Sequence, residues 1–187
     1  KPVVALLPGS RKQEILKKLP VMLEVSKEFP AYQFIIARAP GLDDVFYTEM
    51  IKAYSNVSSV SNETYSLLQQ STAALVTSGT ATLETALFNV PQVVCYKGSE
   101  ISYQIAKRLI SIKYISLVNI IMNKPVVKEL IQHEMNIENL VTELKKILPD
   151  GENRAAILND YMHLTKKLEA GSESASAKAA KNIIKTC

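Results

Sequence analysis

Ser78-Gly79-Thr80, set directly after the apolar run Ala74-Leu75-Val76 and followed by a carboxylate at Glu84, is the stretch best equipped for chemistry. The chemistry is anion binding. A strand, a tight turn and a helix in that order aim the helix's free N–H groups, and the positive end of its dipole, at the space beyond the strand. Gly79 lets the backbone approach a ligand closely, and Ser78, Thr80 and Thr82 add donors without charge. Glu84 is one residue out of register for a capping box from Thr80, which would need its carboxylate at position 83. A carboxylate beside an anion seat suits hydroxyl groups, such as those of a ribose next to a phosphate. The plainer alternative is a capped turn with a solvated glutamate.

A second candidate seat is Pro8-Gly9-Ser10-Arg11, which follows an apolar, β-branched run at residues 3–7. Ser10 and Gln13 have capping-box spacing, so Ser10 has a structural use. Arg11 has none. In a first helical turn a cation opposes the dipole, and that misfit predicts an anion beside it.

Other chemistries lack their residues. Cys95 and Cys187 form no disulfide framework, and His133 and His163 stand too far from other ligand types for zinc. Neither the glycine-rich dinucleotide pattern nor a Gly-Lys-Ser/Thr phosphate loop is present, which disfavours nicotinamide enzymes and P-loop NTPases.

The elements that must position these residues follow from periodicity. Strands are expected at residues 3–7, 32–37, 57–60, 74–77, 91–96 and 115–122, the last interrupted by Asn119. A helix is expected after Ser10-Arg11, carrying Ile15, Leu16, Leu19, Met22 and Leu23, which Pro20 should kink or split; others are expected at 43–54, 63–70, directly after Gly79, and at 101–110. After Pro125 only helices are expected: a short one holding Glu129 to Gln132, then 137–148, 153–169 and, after a break at Gly171-Ser172, 174–186. Alternating strands and helices, with strands apolar along both faces, predict an α/β, Rossmann-like, doubly wound and mainly parallel sheet of about six strands. Ligands of such sheets bind beyond the carboxyl ends of the strands. The loops holding Ser10-Arg11, Ser61-Asn62, Ser78-Gly79-Thr80, Tyr96-Lys97 and Asn119 to Asn123 should therefore converge. Two anion seats and a carboxylate on one edge suggest a nucleoside diphosphate.

Composition agrees with one soluble globular domain: 187 residues, 47% hydrophobic and 21% charged. The net charge of +4 is scattered, with no basic run interleaved with aromatics, so nucleic-acid binding has no support. The apolar runs are too short for a membrane span. Without a secretory signal or paired cysteines, a reducing cytoplasmic setting is expected. Cys95, inside an apolar strand, reads as a small packed hydrophobe. The chain opens at Lys1-Pro2 and enters a strand at once, which reads as a piece of a longer protein.

Leu6-Leu7-Pro8-Gly9-Ser10-Arg11 with Glu14-Ile15, and Ser78-Gly79-Thr80-Ala81-Thr82-Leu83-Glu84, resemble the lipid-A-disaccharide synthase family. So do Pro91-x-Val93-Val94-x-Tyr96-Lys97, Ala106-Lys107-Arg108-Leu109, the segment Ile115 to Ile121, and Lys128-Glu129-Leu130-Ile131-Gln132. The match runs in order along essentially the whole chain and corresponds to the C-terminal half of that family. The resemblance implies a GT-B glycosyltransferase, two Rossmann-like halves with a sugar nucleotide between them, of which this half holds the donor. The implied donor is UDP-2,3-diacylglucosamine, and the implied acceptor is 2,3-diacylglucosamine 1-phosphate, a membrane-embedded lipid. The products would be the β-1,6-linked disaccharide phosphate and UDP.

The resemblance also assigns residues. Ser10 and Arg11 would hold the diphosphate with Ser78, Gly79 and Thr80, Glu84 would take the ribose hydroxyls, and Asn119, Glu129 and Gln132 would face the donor sugar. Val118 stands where the family usually has a proline. The catalytic base is expected on the missing N-terminal half, with no cofactor and no metal. The implied location is cytoplasmic, peripheral on the inner face of the inner membrane of a Gram-negative type of envelope. Residues 1–171 would form the donor domain. Residues 172–187 would form a helix that crosses to the other half or, without it, frays or pairs with a second copy as a homodimer. Two alternatives stand beside this. One is another UDP-sugar GT-B protein, of the UDP-N-acetylglucosamine epimerase or peptidoglycan glycosyltransferase type, against which the Gly-Ser-Arg loop and the Asn119 segment weigh. The other is a non-enzymatic flavodoxin-like nucleotide-binding module, for which the acidic pair and stacking aromatics are missing.

Overall fold

In the computed structural model, residues 1–98 and 113–184 are described, with side chains up to Gly171. The expected helix at 101–110 lies outside them. Six strands form one sheet: β1 (Val3–Leu7), β2 (Gln33–Arg38), β3 (Val57–Ser61), β4 (Ser71–Thr77), β5 (Gln92–Tyr96) and β6 (Lys128–Ile131). Their order is β3-β2-β1-β4-β5-β6, and every neighbouring pair is parallel. Between them run α1 (Lys12–Ser26), α2 (Asp44–Ile51), α3 (Thr64–Gln70), α4 (Thr80–Leu87) and α5 (Leu117–Met122). After β6 come a 3-10 turn at Gln132–Glu134, α6 (Ile137–Ile147) and α7 (Arg154–Ile184).

Alternation along the central strands feeds two cores. Val4 and Leu6 of β1 face one, with Ile15, Leu19 and Met22 of α1 and Leu140 and Leu144 of α6. Ala5 and Leu7 face the other, with Leu67 and Leu68 of α3. Burial on both faces is why these strands are almost continuously apolar.

The structure corrects four local expectations. Residues 115–122 form no sixth strand. Ser116 caps a helix there by accepting the Asn119 N–H, and Asn123 ends it in the left-handed conformation (φ 52°). The sixth strand is Lys128–Ile131, expected to be helical. As an edge strand it is satisfied with one fully buried apolar side chain, Leu130, and tolerates an exposed Lys128. Pro20 does not split α1, which runs unbroken through it; the residue lies on the exposed face, where water can serve the carbonyl that loses its N–H partner. Finally, α7 continues through Gly171-Ser172, where a break was expected, to Ile184. An isolated helical glycine weakens a helix without ending it.

Candidate functional site

The order of the strands reverses between β1 and β4, so the loops leaving these two strands diverge and open a crevice. A cleft of about 610 Å³ sits there, at the carboxyl ends of β1, β2 and β4. Ser10, Ser78, Gly79, Thr80 and Glu84 all line it.

The two turns that floor the cleft are built alike. Gly9 (φ +113°) carries the chain from β1 into α1, and Gly79 (φ +129°, ψ −160°) carries it from β4 into α4. Both conformations require glycine. Neither helix has a side-chain cap, so the leading N–H groups of each, at Lys12 and Gln13 and at Thr80 and Ala81, have no capping side chain and can serve a ligand. The expected capping box from Ser10 does not form, because the cap position is Arg11, in extended conformation, and its carbonyl accepts the Glu14 and Ile15 N–H groups at 2.9 and 3.0 Å. Ser10 is thereby left facing the cleft. Thr82, expected among the donors, is fully buried. Its hydroxyl donates to the Gly79 carbonyl at 2.7 Å and accepts the Leu117 N–H at 3.3 Å, tying α5 to the turn.

Arg11 stands beside the cleft, its side chain 83% exposed and 3.7 Å from Glu14 Oε1. Glu84 is half-buried and has no side-chain partner among the described residues. It borders both the cleft and an adjoining groove of about 430 Å³ formed by Asn62 to Ser66. A ligand with a hydroxyl-bearing middle and an anionic end therefore meets complementary groups in sequence along one path.

Sequence reasoning missed Arg38 and Lys18. Arg38 is the last residue of β2, lines the cleft and pairs with Asp44, while its Nε is buried without a partner among the described residues. The signal was a cation ending a strand whose exit loop was left out of the expected convergence. Lys18 lies beneath the β1–α1 turn, its ammonium donating to Thr77 Oγ1 and 3.7 Å from Glu14 Oε2. Its signal was a lysine on the same face as Ile15, Leu19 and Met22.

The remaining expected residues are not brought to this cleft. Asn119 is 1% exposed, and its amide is used up on Val127 and Glu129. The Glu129 carboxylate also accepts the Ile115 and Ser116 N–H groups and the Ser116 hydroxyl, so it anchors the start of α5. Both line a separate cavity of about 450 Å³ with Tyr114, Val127 and Asp160. Gln132 is nearer to expectation, at the carboxyl end of β6 with a left-handed φ of 54°. Its side-chain oxygen accepts the Gly98 N–H at 2.8 Å and so pins the exit of β5. Cys95 is fully buried, as a packed hydrophobe should be, and desolvation pushes its thiol up to about 12. Among the described residues no group of His, Cys, Asp and Glu could hold a metal ion, and no helix is long and apolar enough to cross a membrane.

A six-stranded, parallel, Rossmann-like sheet with a cleft at its switch point is the fold of the GT-B glycosyltransferases. Solved structures share this fold. A glycotransferase of kitacinnamycin superposes with a TM-score of 0.63 at 14% identity, over 91% of this chain and 39% of that one. MnaA of S. aureus, solved with UDP, gives 0.58 at 13%, over 86% and 42%. The family model for lipid-A-disaccharide synthetase matches residues 1–184. The lipid-A-disaccharide synthase of Syntrophus aciditrophicus is 41% identical over 183 residues, 95% of this chain and 47% of the relative. The chain belongs to the lipid-A-disaccharide synthase family. It spans about half the length of the curated relatives it matches.

Proposed function

We propose that this chain is the donor-binding half of a lipid-A-disaccharide synthase, holding UDP-2,3-diacylglucosamine while its glucosaminyl group passes to 2,3-diacylglucosamine 1-phosphate. The observation that carries this reading is the meeting of two uncapped helix N-termini and Glu84 along one cleft. The α1 and α4 ends hold the diphosphate with Ser10, Arg11, Ser78, Gly79 and Thr80. Glu84 accepts hydrogen bonds from the ribose hydroxyls, and the groove beyond it has room for the base. In the transfer the acceptor hydroxyl forms a bond to the anomeric carbon as the bond from that carbon to the β-phosphate oxygen breaks. The electron pair leaves on UDP, and helix dipoles and Arg11 stabilise the new charge. The acceptor's proton goes to a base supplied outside these residues. Gln132, on the same sheet edge, approaches the donor sugar, and Asn119 and Glu129 act there by holding the segment that begins at Ile115. An acceptor of lipid character fits a whole enzyme that is peripheral on the inner face of the inner membrane.

Calorimetric and thermal-shift titration with UDP, against ADP and FMN, tests the reading. Ligand at 100 times its dissociation constant should stabilise the fold by about 2.7 kcal/mol, seen as a raised Tm for UDP alone. Preference for ADP or FMN would overturn it.

A further inference from the structure

Lys18 is the one charged side chain buried among the described residues, at 3% exposure. It stands on the inward face of α1 among Ile15, Leu19 and Met22, where a hydrophobe would pack without cost. A buried ammonium costs desolvation unless it is paired and hydrogen-bonded, so its partners show what it is for. Both belong to the walls of the cleft. Thr77, which receives its hydrogen bond, immediately precedes Ser78-Gly79, and Glu14, 3.7 Å away, lies in the first turn after Ser10-Arg11. Gly9 fills the space between: a Cβ there would stand 3.2 Å from Glu14 Oε2 and 3.6 Å from Lys18 Nζ. One ammonium thus touches both segments that present uncapped helix ends.

Its charge has a second consequence. Glu14 lines the cleft, and an unpaired carboxylate there would repel an anion and retain Arg11. Glu14 Oε1 faces the exposed Arg11 and Oε2 faces the buried Lys18, each at 3.7 Å. The pair with the buried partner is screened less by solvent and is the stronger of the two. Burial pulls the Lys18 pKa below its ordinary value, and the Glu14 charge works against that shift.

We infer that Lys18 is a positioning residue of the anion seat: it braces the β1–α1 turn against the β4–α4 turn and neutralises Glu14, releasing Arg11 to an incoming diphosphate. The brace concerns only the chain's own atoms, whereas the release of Arg11 rests on the UDP reading above.

The test combines amide hydrogen exchange with calorimetric titration by UDP and by uridine, on the wild-type chain, Lys18→Met, Lys18→Arg and Thr77→Val. With Lys18→Met and with Thr77→Val, exchange should rise several-fold at residues 10–13 and 78–81 together and stay unchanged along β5. UDP affinity should fall about tenfold, the effect of losing one charge-assisted hydrogen bond, with uridine nearly unaffected. Lys18→Arg should recover part of both effects. Unchanged exchange at the two turns in both variants overturns the brace, and equal losses for UDP and uridine overturn the electrostatic role. Thr77→Val keeps the charge and removes only the hydroxyl, so it decides the brace even if Lys18→Met does not fold. A wild-type chain that binds no UDP defeats the donor reading, and the exchange measurement still decides the brace.

Discussion

Asn119 and Val127 are joined through both ends of one amide: Asn119 Oδ1 accepts the Val127 N–H at 3.0 Å, and Nδ2 donates to the Val127 carbonyl at 2.9 Å. The side chain thus imitates a strand neighbour just before β6 begins, and its second N–H reaches Glu129 Oε1 at 2.9 Å. Asn119→Ala should leave Val127's backbone groups buried and unpaired, at a cost of about 3 kcal/mol. Urea unfolding should show a lower midpoint with an unchanged slope. Binding of UDP by the folded fraction should persist. Lost donor recognition at unchanged stability would instead make Asn119 a direct contact.

Glu84 lacks a partner among the described residues, so its removal should cost binding and not folding. Glu84→Ala should weaken UDP by about 1–3 kcal/mol with Tm nearly constant. Arg11→Ala should weaken UDP far more than uridine, since the charge it removes is the one proposed to meet the diphosphate. Calorimetry separates the two patterns, and full UDP affinity in Glu84→Ala removes that residue from the site.

Gly79 sits where only glycine is at ease, yet nothing lies within 4 Å of the place a Cβ would take. Gly79→Ala therefore adds backbone strain without a clash, worth about 1–3 kcal/mol. Thermal unfolding should register that loss. The strain bends the turn that aims the α4 N–H groups, so UDP binding should weaken as well. A variant equal to wild type in both respects would show that the turn relaxes freely.

Stability should decline in alkali. Desolvation holds the Cys95 thiol at about 12, from an ordinary 9.0, and the Tyr54 phenol at about 12, from an ordinary 10.0, with the Glu24 carboxylate adding to the latter. The unfolded chain releases these protons earlier than the folded one. The stabilisation is complete below about pH 9 and is lost as the pH rises toward 12. Tyr161, raised by burial, acts in the same direction, while Lys18, lowered by burial, opposes it. Midpoints of urea unfolding measured from pH 8 to 11 should fall, and Cys95→Val should delay the onset. A flat profile would contradict the burial of these groups.

The strand–turn–helix order around Ser78-Gly79-Thr80 and Pro8-Gly9-Ser10 was legible because the relevant physics is local. Apolar runs mark strands buried on both faces, a glycine marks each turn that needs positive φ, and the helix ends follow directly. Since β1 and β4 flank the switch point, that reading also located most of the cleft. The segment 115–131 was misread for the opposite reason. Ile115 to Met122 is apolar enough for a strand and Lys128–Ile131 polar enough for a helix surface. What decided between them was long-range: a cap at Ser116, an anchor at Glu129 and one open sheet edge beside β5.

By itself, then, the order of residues determined the parallel α/β architecture, the two glycine turns and the family, all of which depend on neighbours a few positions apart. Only the tertiary structure decided that Thr82 and Asn119 spend their hydrogen bonds on the protein, that Arg38 reaches the cleft, and that Lys18 is buried between Thr77 and Glu14. Lys18 and Thr77 lie 59 positions apart. The burial that makes their contact strong exists only once α1 has packed on the sheet.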